Sequence, residues 1–163
     1  FVGVLSSASQ YKENPEKTFK LYVQYEKKKK GINNWDLIDV SSEHVVGPYI
    51  SERMTHKERL AFIDKSLASK DLWINRMIVL ASFYQIKKGN EKMTFYIAER
   101  LLGHKHDLMH KAVGWMLREV GKRVNRKALI SFLDMHTKNM PRTALRYAIE
   151  HLPETQRKQY LSK

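Results

Sequence analysis

Asp36 and Asp39 lie in the stretch GINNWDLIDVSS, Gly31 to Ser42, directly after the run Lys27–Lys30, with Trp35 just ahead of both. Trp35 and Asp39 are one helical turn apart and so share a helix face. If the helix begins at Asn34, Asp36 falls in its first turn, where a carboxylate complements the N-terminal dipole and needs no other task. Asp39 lies beyond that turn, among Leu37, Ile38 and Val40. A carboxylate beside an indole in a basic groove can stabilise a developing positive charge or orient an attacking water, which makes Asp39 the candidate catalytic group. It can equally be the structural partner of Arg76, which interrupts the apolar segment LWINRMIVL and, if buried, needs an anion from the protein or from a ligand phosphate.

The other chemistries have little to stand on. There is no Gly-rich phosphate loop, no Ser-His-Asp set and no HExxH helix. With no cysteine, disulfides and thiolate chemistry are excluded. His104, His106, Asp107 and His110 in HKHDLMH have a spacing that could hold a metal, but Lys105 stands between two of them and no second ligand cluster exists. They read as loop and cap histidines, and neither a metal nor a cofactor is expected.

Charge indicates the partner. Lysine and arginine number 30 against 17 acidic residues, a formal net charge of +13, so the surface should attract a polyanion, nucleic acid first and membrane headgroups second. Trp115 shares a helix face with Lys111, Arg118 and Lys122, away from the apolar stripe Met109, Ala112, Val113, Met116, Leu117 and Val120. Either it fills a helix–helix seam under snorkelling cations, or its ring faces nucleic acid with phosphate contacts around it. Arg142 and Arg146, one turn apart, extend the same kind of surface. The lysine run itself reads as a solvated helix end.

The elements that must position these residues are all helical. Strand signals are absent, while helix starts and stops recur. Asn14-Pro15-Glu16 opens a helix that ends at the lysine run. Asn33 or Asn34 caps the next, which Gly47-Pro48 stops. Thr55 with Glu58 forms a capping box, and Asp71 opens a long buried helix that closes on Gly89. Five further segments follow, with breaks at Gly103-His104, Gly121-Lys122, Met140-Pro141 and Leu152-Pro153. The segments INRMIVLASF, MHKAVGWMLR and PRTALRYAIE repeat a polar or cationic start followed by an apolar block. The expectation is one all-α domain over 1–163, a HEAT-like α-solenoid of antiparallel helix pairs with a concave basic face, while periodicity alone leaves an irregular helical bundle open as the alternative. No apolar run is long enough to span a bilayer, and a cytoplasmic location is expected. FVGVLSSASQY is neither a signal peptide nor a capped helix start, so sequence upstream of Phe1 is expected.

The blocks INNWDLID, LWINRMIVL, HKAVGWMLREVGK and MPRTALRYAIEHLP, in this order over nearly the whole chain, resemble the DNA alkylation repair enzymes of the AlkD type, HEAT-like DNA glycosylases. The resemblance implies that Asp39 matches the catalytic aspartate, Trp35 and Trp115 the indoles flanking the lesion-bearing nucleotide, and Arg76 the arginine of the cleft. It implies double-stranded DNA containing alkylated bases as partner, no small-molecule cofactor, no membrane and a monomer. The chain departs from the family pattern in having Asn75-Arg76 where a pair of arginines is usual, and family members begin with further DNA-contacting helices. Its rival is a non-catalytic HEAT-like scaffold that binds nucleic acid or protein, in which Asp39 only pairs with Arg76.

Overall fold

The computed structural model describes residues 9–27, 35–69 and 71–162, with the side chains of all of these but 25–27 and 35–37. Every described element is helical. They are α1 over residues 9–13, α2 Pro15–Lys27, α3 Trp35–Glu52, α4 His56–Leu67, α5 Leu72–Ala81, α6 Phe83–Lys87, α7 Lys92–Leu101, α8 Asp107–Arg123, α9 Arg126–His136, α10 Arg142–Ala148 and α11 Glu154–Ser162, with a 3-10 turn over Thr137–Asn139. The all-α expectation holds throughout the described residues. None of these helices is long and apolar enough to cross a membrane. The helices form two compact units, one up to Tyr84 and one from Gln85.

In the first unit α5 packs against α2, α3 and α4. Its residues Asn75 to Ala81 are all buried, as the near-uniform apolarity of this helix requires. The helix starts are set by short polar side chains that satisfy otherwise orphaned N–H groups. Asn14 Oδ1 accepts from Lys17 N at 3.1 Å, and Asp71 Oδ1 accepts from Trp73 N at 2.9 Å. Thr55 and Glu58 close a reciprocal capping box, with Thr55 N donating to Glu58 Oε2 at 2.8 Å. In the second unit α8 packs against α7, α9 and α10, and the stripe from Met109 to Val120 is at most 3% exposed.

Three boundaries differ from the sequence reading. α3 does not stop at Gly47-Pro48 but continues to Glu52 with Pro48 inside it. A missing N–H and a ring clash normally break a helix at proline. Here Val45, Val46 and Ile50 are fully buried on either side, and their packing carries the helix through. Gly47 serves contact instead of termination: a Cβ there would lie 2.6 Å from Tyr84 Cβ and 2.7 Å from the Ala81 carbonyl oxygen. The long helix from Asp71 is divided at Ser82, whose hydroxyl donates to the Val79 carbonyl at 2.6 Å and whose N–H bonds the same oxygen, tightening the turn. Gly89 ends α6 with φ of 77°, as a left-handed terminator should. The third boundary is Gly121-Lys122, which lies inside α8; the break comes at Asn125, whose Oδ1 caps α9 through Ala128 N at 3.0 Å. The Asn33 and Asn34 caps and Lys28–Lys30 lie outside the described residues.

Gly114 marks the closest approach of α8 to α10. A Cβ there would come 2.5 Å from the Ala144 carbonyl oxygen and 2.6 Å from Tyr147 Cβ, neither of which can swing away as a side-chain tip can. Gly114→Ala is expected to cost about 1–3 kcal/mol by forcing the helices apart. Gly103→Ala, with nothing within 4 Å, should change stability by no more than about 0.5 kcal/mol. Thermal unfolding of both variants checks the contrast.

Candidate functional site

In the first unit, α3 and α5 bring Asp39 and Arg76 together across 37 positions of sequence. Arg76 Nε donates to Asp39 Oδ1 at 2.7 Å and Nη2 donates to Oδ2 at 2.6 Å, a two-point pairing of guanidinium with carboxylate. The Arg76 side chain is 6% exposed and that of Asp39 15%, so the arginine is enclosed while the carboxylate keeps an edge on solvent. The sequence left the anion for Arg76 open between protein and phosphate; the structure supplies a protein carboxylate. α3 is fixed against α2 by Tyr22, whose Oη lies 2.6 Å from Ser41 Oγ, two residues after Asp39. Ile38, immediately before Asp39, is fully buried, and Val40, immediately after, is 47% exposed, which places Asp39 at the border between the core and the outer face of α3. Trp35 opens α3, and its side chain lies outside the described residues.

In the second unit, α8 carries Lys111, Trp115, Arg118 and Lys122 at one-turn spacing, and Trp115 is half-buried. Two of the three cations are already engaged. Lys111 Nζ lies 2.9 Å from Asp107 Oδ2, and the hydrogen bond from Lys111 is the largest cause of an Asp107 carboxyl held below its ordinary range. Arg118 donates through Nη1 to Glu150 and through Nη2 to Glu119 Oε1 at 3.3 Å. Glu119 is buried, which pushes its carboxyl up, but the hydrogen bonds from Arg123 and Arg118 outweigh burial and the net shift is downward. Lys122 and Arg146 are exposed, as is Arg142, whose Nη2 donates to the Leu161 carbonyl at 2.7 Å. The histidines of HKHDLMH serve the start of α8: His106 Nδ1 accepts from Leu108 N at 3.2 Å, and His104 Nδ1 accepts from His106 N at 3.1 Å. Burial first, and His106 and His110 after it, hold His104 below the ordinary histidine range.

An enclosed arginine presenting one carboxylate at the surface, within an all-helical and strongly basic chain, narrows the field of relatives. The sequence model of a family described as DNA alkylation repair enzyme matches residues 2–152. The chain belongs to that family. Among curated proteins, none matches it. Membership makes DNA the partner of this repair-family chain and alkylated DNA its field of action.

Sequence reasoning did not find Glu119 and Glu150 as the anchors of Arg118, nor Arg126 and His151, which line a pocket with Arg118 and Lys122. Glu119 carried a local signal, standing four residues before Arg123, to which it is ion-paired at 2.6 Å. Glu150 carried none, since it reaches Arg118 across 32 positions.

Removing one member of a buried pair strands the other. Arg76→Met and Asp39→Asn are therefore each expected to lower the unfolding free energy by about 2–4 kcal/mol, somewhat under the cost for a fully enclosed pair because Asp39 keeps its solvent edge. The double variant should reveal a coupling of about 1–3 kcal/mol in urea unfolding. Additive single effects would mean that the pair does not link α3 to α5. The lowered Glu119 contributes stability above its unfolded value of about 4.3, lost as pH falls through the folded one. Glu119→Gln should accordingly flatten the acid side of the stability–pH curve, measured by melting temperature across that range.

Proposed function

We propose that the chain is a monofunctional DNA glycosylase of the AlkD type, on a HEAT-like scaffold, that hydrolyses the N-glycosidic bond of positively charged N3- or N7-alkylated purines in duplex DNA. The observation that carries this reading is the placement of Asp39, a carboxylate gripped at both oxygens by Arg76 and still open along one edge. A cationic alkylated purine leaves as a neutral base, so its departure needs no general acid. One fixed carboxylate is then enough. As the glycosidic bond stretches, positive charge builds on the deoxyribose, and Asp39 stabilises it and orients or deprotonates the attacking water. Arg76 is the positioning residue: its two N–H donors hold the carboxylate in one orientation, so that little reorganisation accompanies the reaction. Trp35 and Trp115 are assigned to the nucleotide by their place in sequence and the resemblance alone, an indole contact to a cationic base or its sugar being worth roughly 0.5–2 kcal/mol. Lys122, Arg142 and Arg146 contact phosphates without reading sequence, and Lys111 and Arg118 add positive potential beside their carboxylate partners.

The same pair also favours a second reading. A carboxylate with both oxygens on an arginine is what a purely structural bridge would look like, and a non-catalytic DNA-binding scaffold would need nothing more.

Asp39→Asn separates the two. It keeps shape and most hydrogen bonding but removes the charge, so single-turnover release of alkylated base from methylated duplex DNA should fall on the order of a hundredfold or more while DNA affinity holds or rises slightly. Asp36→Asn, in the first turn of α3, should cost at most about 1 kcal/mol of stability and leave turnover nearly intact. Near-normal excision by a folded Asp39→Asn variant would hand the case to the scaffold, and borohydride trapping of a covalent adduct would remove water as the nucleophile.

A further inference from the structure

The last two turns of α8, the first turn of α9, and the end of α10 with the turn after it line a pocket of about 190 Å³ in the second unit. Arg118, Lys122, Arg126 and His151 line it, and no acidic residue does so among the described residues. Leu129 and Leu152 supply an apolar wall. The cations differ in how they are held. Arg118 is fixed by Glu150 and Glu119, which lie outside the lining and absorb part of its charge. Arg126 is exposed, yet its Nη2 donates to the His151 carbonyl at 2.9 Å, which anchors the guanidinium beside another lining residue with further N–H donors to spare. Lys122 is exposed on the last turn of α8. Arg126 is also the first residue of α9, an 11-residue helix whose N-terminal end adds its own positive potential.

We propose that this pocket takes one phosphate of the DNA backbone, clamped by Lys122 and Arg126 against the fixed guanidinium of Arg118. The space is below the roughly 300 Å³ at which pockets for whole small molecules begin, but a single tetrahedral phosphodiester with one edge of its sugar against the leucines suits it. A cluster of positive side chains with no acid in the lining attracts an anion, and two of its members, Lys122 and Arg126, are exposed and form no ion pair with a carboxylate among the described residues. The proposal rests on DNA being the partner, as in the function proposed above, but not on Asp39 doing chemistry. It adds Arg126 and His151 to the DNA-binding surface and gives Arg118 a scaffolding part instead of an open contact.

The test is equilibrium binding of an unmodified DNA duplex across a salt series. One lost phosphate contact should lower the slope of log affinity against log salt by about 0.9. Lys122→Gln with Arg126→Gln is expected to show that drop and a roughly tenfold weaker affinity at low salt. Both side chains are exposed, so circular dichroism should be unchanged. Lys122→Arg with Arg126→Lys, which keeps the charges, should bind within about threefold of the parent, and Lys138→Gln, beyond the other end of α9, should leave affinity and slope alone. An unaltered slope in the double glutamine variant overturns the proposal. So does equal loss in Lys138→Gln, which would make the effect one of general charge, and so does a pocket that binds inorganic phosphate while the variants leave duplex affinity untouched. If the parent releases no alkylated base but the slope still drops, the glycosylase reading fails and the pocket stands. If base release depends on Asp39 while the slope is unmoved, the reverse holds.

Discussion

A guanidinium enclosed in a helix core must find a negative partner or cost several kcal/mol, and Arg76 on the buried helix α5 imposes that demand on the whole first unit. Asp39 answers it, and in doing so sets how α3 lies on α5. The surrounding features serve the same alignment. Gly47 lets α3 approach Ala81 and Tyr84, and Tyr22 ties α2 to the serines that follow Asp39. The aspartate is thereby held at the surface by a residue that cannot itself leave the interior. A pair of this kind contributes little net stability relative to well-packed apolar residues, so what it secures is orientation.

The second unit handles charge differently. Its cations are of two sorts, those tied to carboxylates, such as Lys111 and Arg118, and those left open, such as Lys122 and Arg146. Only the open ones can exchange solvent ions for a phosphate at full effect, so a net charge of +13 overstates the number of productive contacts. The tied ones act at longer range, and salt screens them over roughly 10 Å at 0.1 M.

What the sequence disclosed follows from how local each cause is. The caps at Asn14, Thr55 and Asp71, the apolar stripe of α8 and the all-helical class depend on neighbours within one or two turns, and all could be read directly. Gly47-Pro48 and Gly121 were misread as stops because glycine and proline signal breaks only when nothing outweighs them; here tertiary packing does, and both glycines turn out to lie at helix contacts. The division at Ser82 turned on one hydroxyl choosing a backbone carbonyl. At the candidate site, the residue types and the helix face of Asp39 were legible. The anion opposite Arg76 was not, since nothing in the chain's linear order brings position 39 to position 76, and the same holds for Glu150 and Arg118.

The backbone contact at Gly114 has a consequence for recognition. Because α8 and α10 meet there through a carbonyl and a Cβ and not through flexible side chains, neither helix can shift toward the other without a backbone clash, and Trp115, Lys122 and Arg146 stand on the two helices that share this contact. Helices in such close backbone contact have little freedom to lose when DNA is bound. The entropy of association then falls mainly on the long lysine and arginine side chains, roughly 0.5–1.5 kcal/mol for each one immobilised, and not on the helices that carry them.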